Sequence, residues 1–308
     1  KLDATGTGGR ISTVTVSGNL SFAGGADTVV PVIVAGDAAF IFKGNITLAN
    51  SANWTNGTGT ITLGDNPSNG TQTINFMGET IEDLVINGSG DTKQLTGGLT
   101  TDSLAVTAGT LDMNGKAVTL ATAQSVVNDA TIQLTGAETL TSFNDLDENS
   151  GTVIIVGTTG NTSETYNIPD WGAIDYFNLT IDGAETLTNK DTFKLTAAID
   201  IDGNLTLTDG TFDVDSVGNN GINLAGNWSN TSATFNEQSG TVTLDNTSAD
   251  QTITPGGQSF NALILNNTGA SGSDDIIISG ALDINGNLTI TNGDLDINTN
   301  NPNVTLAG

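Results

Sequence analysis

Short runs in which apolar and polar residues alternate fill the 308 residues from end to end. In Asn204-Leu205-Thr206-Leu207 the two leucines fall on one side and Asn204 and Thr206 on the other, because successive strand side chains point to opposite faces. Apolar anchors then recur at short intervals: Leu205, Phe212, Ile222, Trp228, Phe235, Val242, Ile253, Leu263 and Ile277. No stretch long enough for a globular helix keeps a 3.6-residue apolar rhythm, so the pattern predicts an all-β chain of short strands and tight turns. Three strand-and-turn steps make a coil of about 20 to 25 residues, the size of one turn of a three-sided stack with strands about 4.8 Å apart. The expected fold is a right-handed parallel β-helix, or solenoid, of about 13 coils.

Repeated phrases strengthen that expectation. Gly203-Asn204-Leu205-Thr206-Leu207 returns as Gly18-Asn19-Leu20-Ser21-Phe22, Gly44-Asn45-Ile46-Thr47-Leu48 and Gly286-Asn287-Leu288-Thr289-Ile290. A second phrase starts at Gly59, Gly151 and Gly240, at nearly equal separations, and Gln72-Thr73-Ile74 answers Gln251-Thr252-Ile253. Self-similarity at a fixed period marks arrays whose units bury their apolar faces against neighbours. The expected organisation is one continuous repeat domain over 1–308 with long cycles near 59–150, 151–239 and 240–308, the last incomplete. The rival is a tandem array of about three β-sandwich domains, which predicts linkers near residues 59, 151 and 240. Arg10 to Val16 reads as a full strand and Pro302 to Gly308 as an interior strand and turn, so the chain is expected to continue axially into more of the same, in its own polypeptide or in the next subunit.

Composition narrows the chemistry. The 34 acidic residues face 7 basic ones, none of them after Lys194. Phosphate contacts need clustered Lys and Arg, so no nucleic-acid partner is expected, and an anionic membrane surface would repel the chain. No apolar run is long enough to cross a bilayer, so no membrane insertion is expected in this chain. The acidic surface suits an extracellular or cell-surface location, with self-association governed by counterions.

The chain contains no His and no Cys, and Arg10 is its only Arg. His-based serine triads and thiolate sites cannot be written from it. Carboxylate pairs such as Asp213 with Asp215 or Asp274 with Asp275 could flank a glycosidic bond, but chance supplies such pairs among 34 acids, and no catalytic residue is expected. Asp200-x-Asp202-Gly203-Asn204 and Asp283-x-Asn285-Gly286-Asn287 begin like a calcium loop yet lack its closing Glu; position twelve from Asp200 is Thr211. Turn-holding Asp and Asn is the plainer reading, so no cofactor is expected, with Ca²⁺ kept as a candidate. Fifteen Asn-x-Ser/Thr sequons make Asn45, Asn178, Asn204, Asn227 and Asn287 candidate glycosylation acceptors. Trp54, Trp171 and Trp228 suit the core better than a sugar platform.

The run Gly203-Asn204-Leu205-Thr206-Leu207 through Gly210-Thr211-Phe212-Asp213-Val214 resembles the β-helical passenger repeats of bacterial autotransporter and haemagglutinin-like adhesins. The run from Trp228 through Gly240-Thr241-Val242, Gln251-Thr252-Ile253 and Phe260-Asn261-Ala262 is similar to repeats of very large bacterial and archaeal surface proteins. The resemblance implies a place on or outside the cell and an adhesive or structural role. The leading expectation is a non-enzymatic rod, stalk or filament subunit that pairs with itself end-to-end or side-by-side. The alternatives are a receptor- or glycan-binding adhesin module and a phage fibre or tailspike segment.

Overall fold

A computed structural model describes residues 2–3, 13–22, 32–49, 54–66, 70–146, 149–158, 162–171, 175–183 and 190–307. Among the described residues there is no helix, and every strand pairing is parallel. The strands stack as a β-solenoid of about 12 turns, close to the count expected from spacing. A β-sandwich, whose neighbours run antiparallel, is thereby excluded. Residues 59 and 240, where the sandwich array would place linkers, lead into strands inside stacked sheets. The chain forms two compact units, Lys1–Asp147 and Glu148–Gly308.

In the first unit the chain visits three faces in turn. One face stacks Thr13–Val16, Ala39–Phe42, Thr60–Gly64, residues 83–87 and residues 104–108. Its inward column runs Val14, Phe40, Ile61, Leu84, Leu104, each step close to the expected coil length. The next face stacks Leu20–Ser21, Ile46–Thr47, Thr71–Asn75, 92–95, 110–112 and Thr131–Leu134. The remaining face carries Leu2–Asp3, Ile33–Val34 and Trp54–Thr55, and higher up Thr80–Ile81, Leu99–Thr101 and 118–120. The strand expected from Arg10 is seen from Thr13; residues 10–12 lie outside the described residues.

The second unit repeats this plan. Its first face stacks Thr152–Ile155, Asn178–Asp182, Leu205–Asp209, Trp228–Asn230, Gln251–Thr254, Asp275–Ile278 and Asp294–Asp296. The second face stacks Thr165–Ile168, Thr192–Leu195, Thr211–Asp213 and Thr234–Asn236, and carries Ser259–Phe260, Leu282–Ile284 and Val304–Leu306 above them. The third face stacks Ile199–Ile201, Ile222–Leu224, Thr241–Leu244, Ala262–Asn266 and Leu288–Asn292.

Side-chain alternation, set by the two-residue period, fills the interior with Leu, Ile, Val and aromatic rings. Tyr166, Phe193, Phe212 and Phe235 stack in register on the second face, and Trp228 meets Phe235 and Phe260 edge-on at 4.9 and 5.0 Å. Such ring pairs add about 0.5–1.5 kcal/mol each beyond area burial. Thr165, Thr192, Thr211 and Thr234 form a register column on that face, as β-branched residues on a pleated surface should.

Candidate functional site

The repeated Gly-Asn-Leu phrase is built for stacking. Its Asn opens a strand with the side chain outside, where Oδ1 reaches the backbone of the neighbouring coil. Asn45 N–H donates to Asn19 Oδ1 at 2.9 Å, and Thr73 N–H donates to Asn45 Oδ1 at 2.9 Å. In the second unit Asn204 N–H donates to Asn178 Oδ1 at 2.8 Å, Asn227 N–H to Asn204 Oδ1 at 2.9 Å, and Thr252 N–H to Asn227 Oδ1 at 2.7 Å. These bonds satisfy amides at the corners, where the sheet ladder is interrupted. Glycine precedes the Asn because two coils nearly touch there. A Cβ on Gly44 would lie 2.5 Å from the Gly18 carbonyl carbon, and one on Gly226 would lie 2.0 Å from Gly203 O.

Four of the five candidate glycosylation acceptors thus hold this ladder. Asn204, Asn227 and Asn287 are exposed, and Asn45 and Asn178 are half-buried. The Asn178 amide also donates to Gly151 O at 2.8 Å. In Asn204 and Asn227 the ladder uses the oxygen and, among the described residues, leaves the nitrogen, the atom a glycan would take, without a partner.

Carboxylates singled out by spacing are occupied in turns. Asp213 Oδ1 accepts from Asp215 N–H at 2.7 Å, and Asp215 Oδ1 lies 3.9 Å from Lys194 Nζ. Asp274 Oδ1 accepts from Gly272 N–H at 3.0 Å, and Asp275 N–H donates to Asp250 Oδ1 at 3.1 Å. Asn285 donates to Glu237 Oε1 and Ser259 Oγ at 3.0 and 3.1 Å, tying three coils together. Asp200 N–H donates to Asp175 Oδ2 at 2.9 Å. Burial, reinforced by Asp245, Asp202 and Asp175, pushes the Asp200 carboxyl up to about 6. Among the described residues, no group of three or more Asp, Glu, His or Cys is placed to hold a metal ion.

All three tryptophans are buried. Trp54 Nε1 donates to Glu82 Oε2 at 3.0 Å, and Gly57 N–H donates to Glu82 Oε1 at 2.6 Å. Burial raises the Glu82 carboxyl above its ordinary range, and those two donors oppose the rise. Burial likewise raises Asp175, which accepts from the N–H groups of Trp171 and Asp200.

Several interior polar groups were not singled out from sequence. Gln251 is buried, donates to Leu224 O and Gly226 O at 2.8 and 2.9 Å, and accepts from Asn246 N–H at 3.1 Å. Gln72 is buried and donates to Gly44 O, but its Oε1 has no partner among the described residues. Lys93 is fully buried, 3.2 Å from Asp91 Oδ2 and 2.8 Å from Gly64 O. The signal for the glutamines was present: in Gln251-Thr252-Ile253 the two-residue period puts Gln251 on the side of Ile253.

The chain was compared with family models, with curated proteins and with solved structures, and it matches none of them.

Proposed function

We propose that this chain is a non-enzymatic structural and adhesive element of an extracellular or cell-surface assembly, acting as a stalk or filament subunit. The observation that carries the reading is that side chains able to do chemistry are spent on joining coil to coil. Ladder asparagines, interior glutamines, Glu82 and Asp175 all hold backbone groups of neighbouring coils. Supporting it are the absence of His and Cys from the sequence and a net charge of −27, which favours solubility and disfavours nucleic acid. The strand phrases align the chain with autotransporter and haemagglutinin-like adhesin repeats as the family for this role. Burial of all three tryptophans removes the aromatic platform a glycan-binding reading would use.

The test is electron microscopy of the native particle beside a polysaccharide turnover assay. Extended particles or fibres without turnover are expected. Isolated globules, or turnover abolished by changing one carboxylate, would overturn the reading.

A further inference from the structure

The ladder bond needs an asparagine and nothing particular two residues further on. Even so, each of the five ladder asparagines is followed there by a hydroxyl: Ser21 after Asn19, Thr47 after Asn45, Thr180 after Asn178, Thr206 after Asn204 and Ser229 after Asn227. The same columns hold their own control. Ile154, Thr180, Thr206, Ser229 and Thr254 stand in register on the first face of the second unit, and Ser21, Thr47 and Asn75 on the second face of the first unit. Coils in which Thr152, Thr73 or Thr252 takes the place of the asparagine carry Ile154, Asn75 or Thr254 two residues on. The position thus accepts an aliphatic or an amide side chain, yet it is Ser or Thr in every coil that has the Asn. Stacking does not account for the restriction, because none of the five hydroxyls has a hydrogen-bond partner among the described residues.

An asparagine with a hydroxyl two residues on, and no proline between, is the acceptor pattern for an N-linked saccharide. Strand alternation puts both polar side chains of the triplet on the outer side. The structure then sorts the acceptors by what their amide nitrogens do. Asn19, Asn204 and Asn227 are exposed, each Oδ1 accepts from the next coil, and each Nδ2 is without a partner among the described residues. A bond at Nδ2 leaves Oδ1 an acceptor, so saccharide and ladder coexist at these positions. Other triplets of the same kind have the nitrogen engaged. Asn178 donates to Gly151 O at 2.8 Å, buried Asn230 donates to Ala233 O at 3.1 Å, and Asn246 donates to Ala225 O.

We propose that Asn19, Asn204 and Asn227 are acceptors for N-linked saccharide, transferred by a separate enzyme from a glycosyl phosphate or pyrophosphate donor. Nδ2 bonds to the anomeric carbon of the donor, and the bond from that carbon to the phosphate oxygen breaks. The phosphate group leaves with the electron pair, and one amide proton is released. This rests on the extracellular reading above and adds what the surface of the rod carries.

The test uses protein purified from its own cells, digested and mapped by electron-transfer mass spectrometry, which leaves a saccharide on its asparagine. Saccharide mass is expected on Asn19, Asn204 and Asn227, and none on Asn178, Asn230 or Asn246. Thr206→Val, made in the same cells, keeps a β-branched outward side chain and removes only a hydroxyl that the fold does not bond. It should lose the saccharide at Asn204 and keep it at Asn227, while Thr206→Ser retains both. The urea midpoint of saccharide-free protein should not change with Thr206→Val. Bare asparagines at all three positions overturn the proposal and leave the structural reading standing, since that reading falls only to isolated globules or to turnover. Saccharide that persists on Asn204 in Thr206→Val, equal occupancy at Asn178, Asn230 and Asn246, or a midpoint lowered by Thr206→Val each overturns the assignment as well.

Discussion

The two units solve one problem differently: what to place at the inward position that follows the Asn ladder. In the second unit Gln251 occupies it with every polar atom bonded, and Ile276 lies above it. In the first unit Gln72 occupies it with Oε1 unpaired, and Lys93 lies above it, fully buried beside Asp91, whose Oδ1 is also unpaired among the described residues. The second unit's loop is shorter, so Asn246 N–H reaches Gln251; in the first, Asn66 N–H turns to Asp91 instead. A satisfied amide stitches two coils cheaply, whereas an ion pair taken out of water recovers its desolvation only when its geometry is complete. The second unit should therefore draw stability from packing here, and the first should depend on a charge balance.

The largest expected effects break each corner by its own logic. Trp228→Ala removes a fully buried ring set against Phe235 and Phe260 and should cost about 3–5 kcal/mol. Lys93→Met leaves the Asp91 carboxylate buried without its cation and should cost about 3–5 kcal/mol. Adding Asp91→Asn to Lys93→Met should restore part of that loss, and nothing comparable should rescue Trp228→Ala. Urea titration followed by far-ultraviolet circular dichroism reads both; equal losses in the single and double Lys93 variants would deny the charge dependence.

A smaller effect sharpens the comparison at the glutamines. Gln251→Leu orphans Gly226 O and Asn246 N–H, at about 1–3 kcal/mol for each group left unsatisfied, and removes one of two donors from Leu224 O, which keeps the Asp245 N–H at 3.1 Å. Gln72→Leu orphans only Gly44 O and removes an oxygen that was already unpaired. The second unit's variant should lose more stability on the same denaturant scale, and a larger loss from Gln72→Leu would reverse the ranking.

Much of this was legible in the sequence, and the part that was not has a geometric cause. Alternation in Asn204-Leu205-Thr206-Leu207 gave inside and outside correctly: Leu205 and Leu207 are buried and Asn204 is exposed. The long-range return of the phrase at Gly151 and Gly240 was legible too, but not its meaning. Gly151 leads a first-face strand and Gly240 a third-face strand, and Gly203 and Gly286 are displaced the same way. The coils climbing from Val153 through Leu179 and Leu205 to Trp228 together fall short of the long cycle, which therefore ends two faces further on. A phrase thus encodes a strand with its stacking corner, not an address on one face. The partners of Lys93 were illegible because Gly64 lies on a different strand, and nothing local marks Lys93 as inward except its phase with Leu95.

The smallest expected effect concerns protonation in the second unit. Asp200 sits on the third face with Asp175, Asp202 and Asp245 around it, and its carboxyl is raised from 3.8 to about 6, burial being the largest cause. A raised carboxyl means that the folded state holds a proton the unfolded chain has released. Below pH 3.8 both states are protonated at Asp200, and the site contributes no slope. Between 3.8 and about 6 the folded state keeps the proton, so stability falls as pH rises, and the loss levels off above about 6. Water reaches this carboxyl, so the change should be modest. Asn223 already faces Asp200 in register on the neighbouring coil, and an amide beside it fits the same strand. Asp200→Asn should therefore remove the slope between about pH 4 and 6 and raise stability at neutral pH, read as the urea midpoint at each pH; a slope that survives the substitution would move its origin to Asp175 and Asp245, whose carboxyls are raised by burial as well.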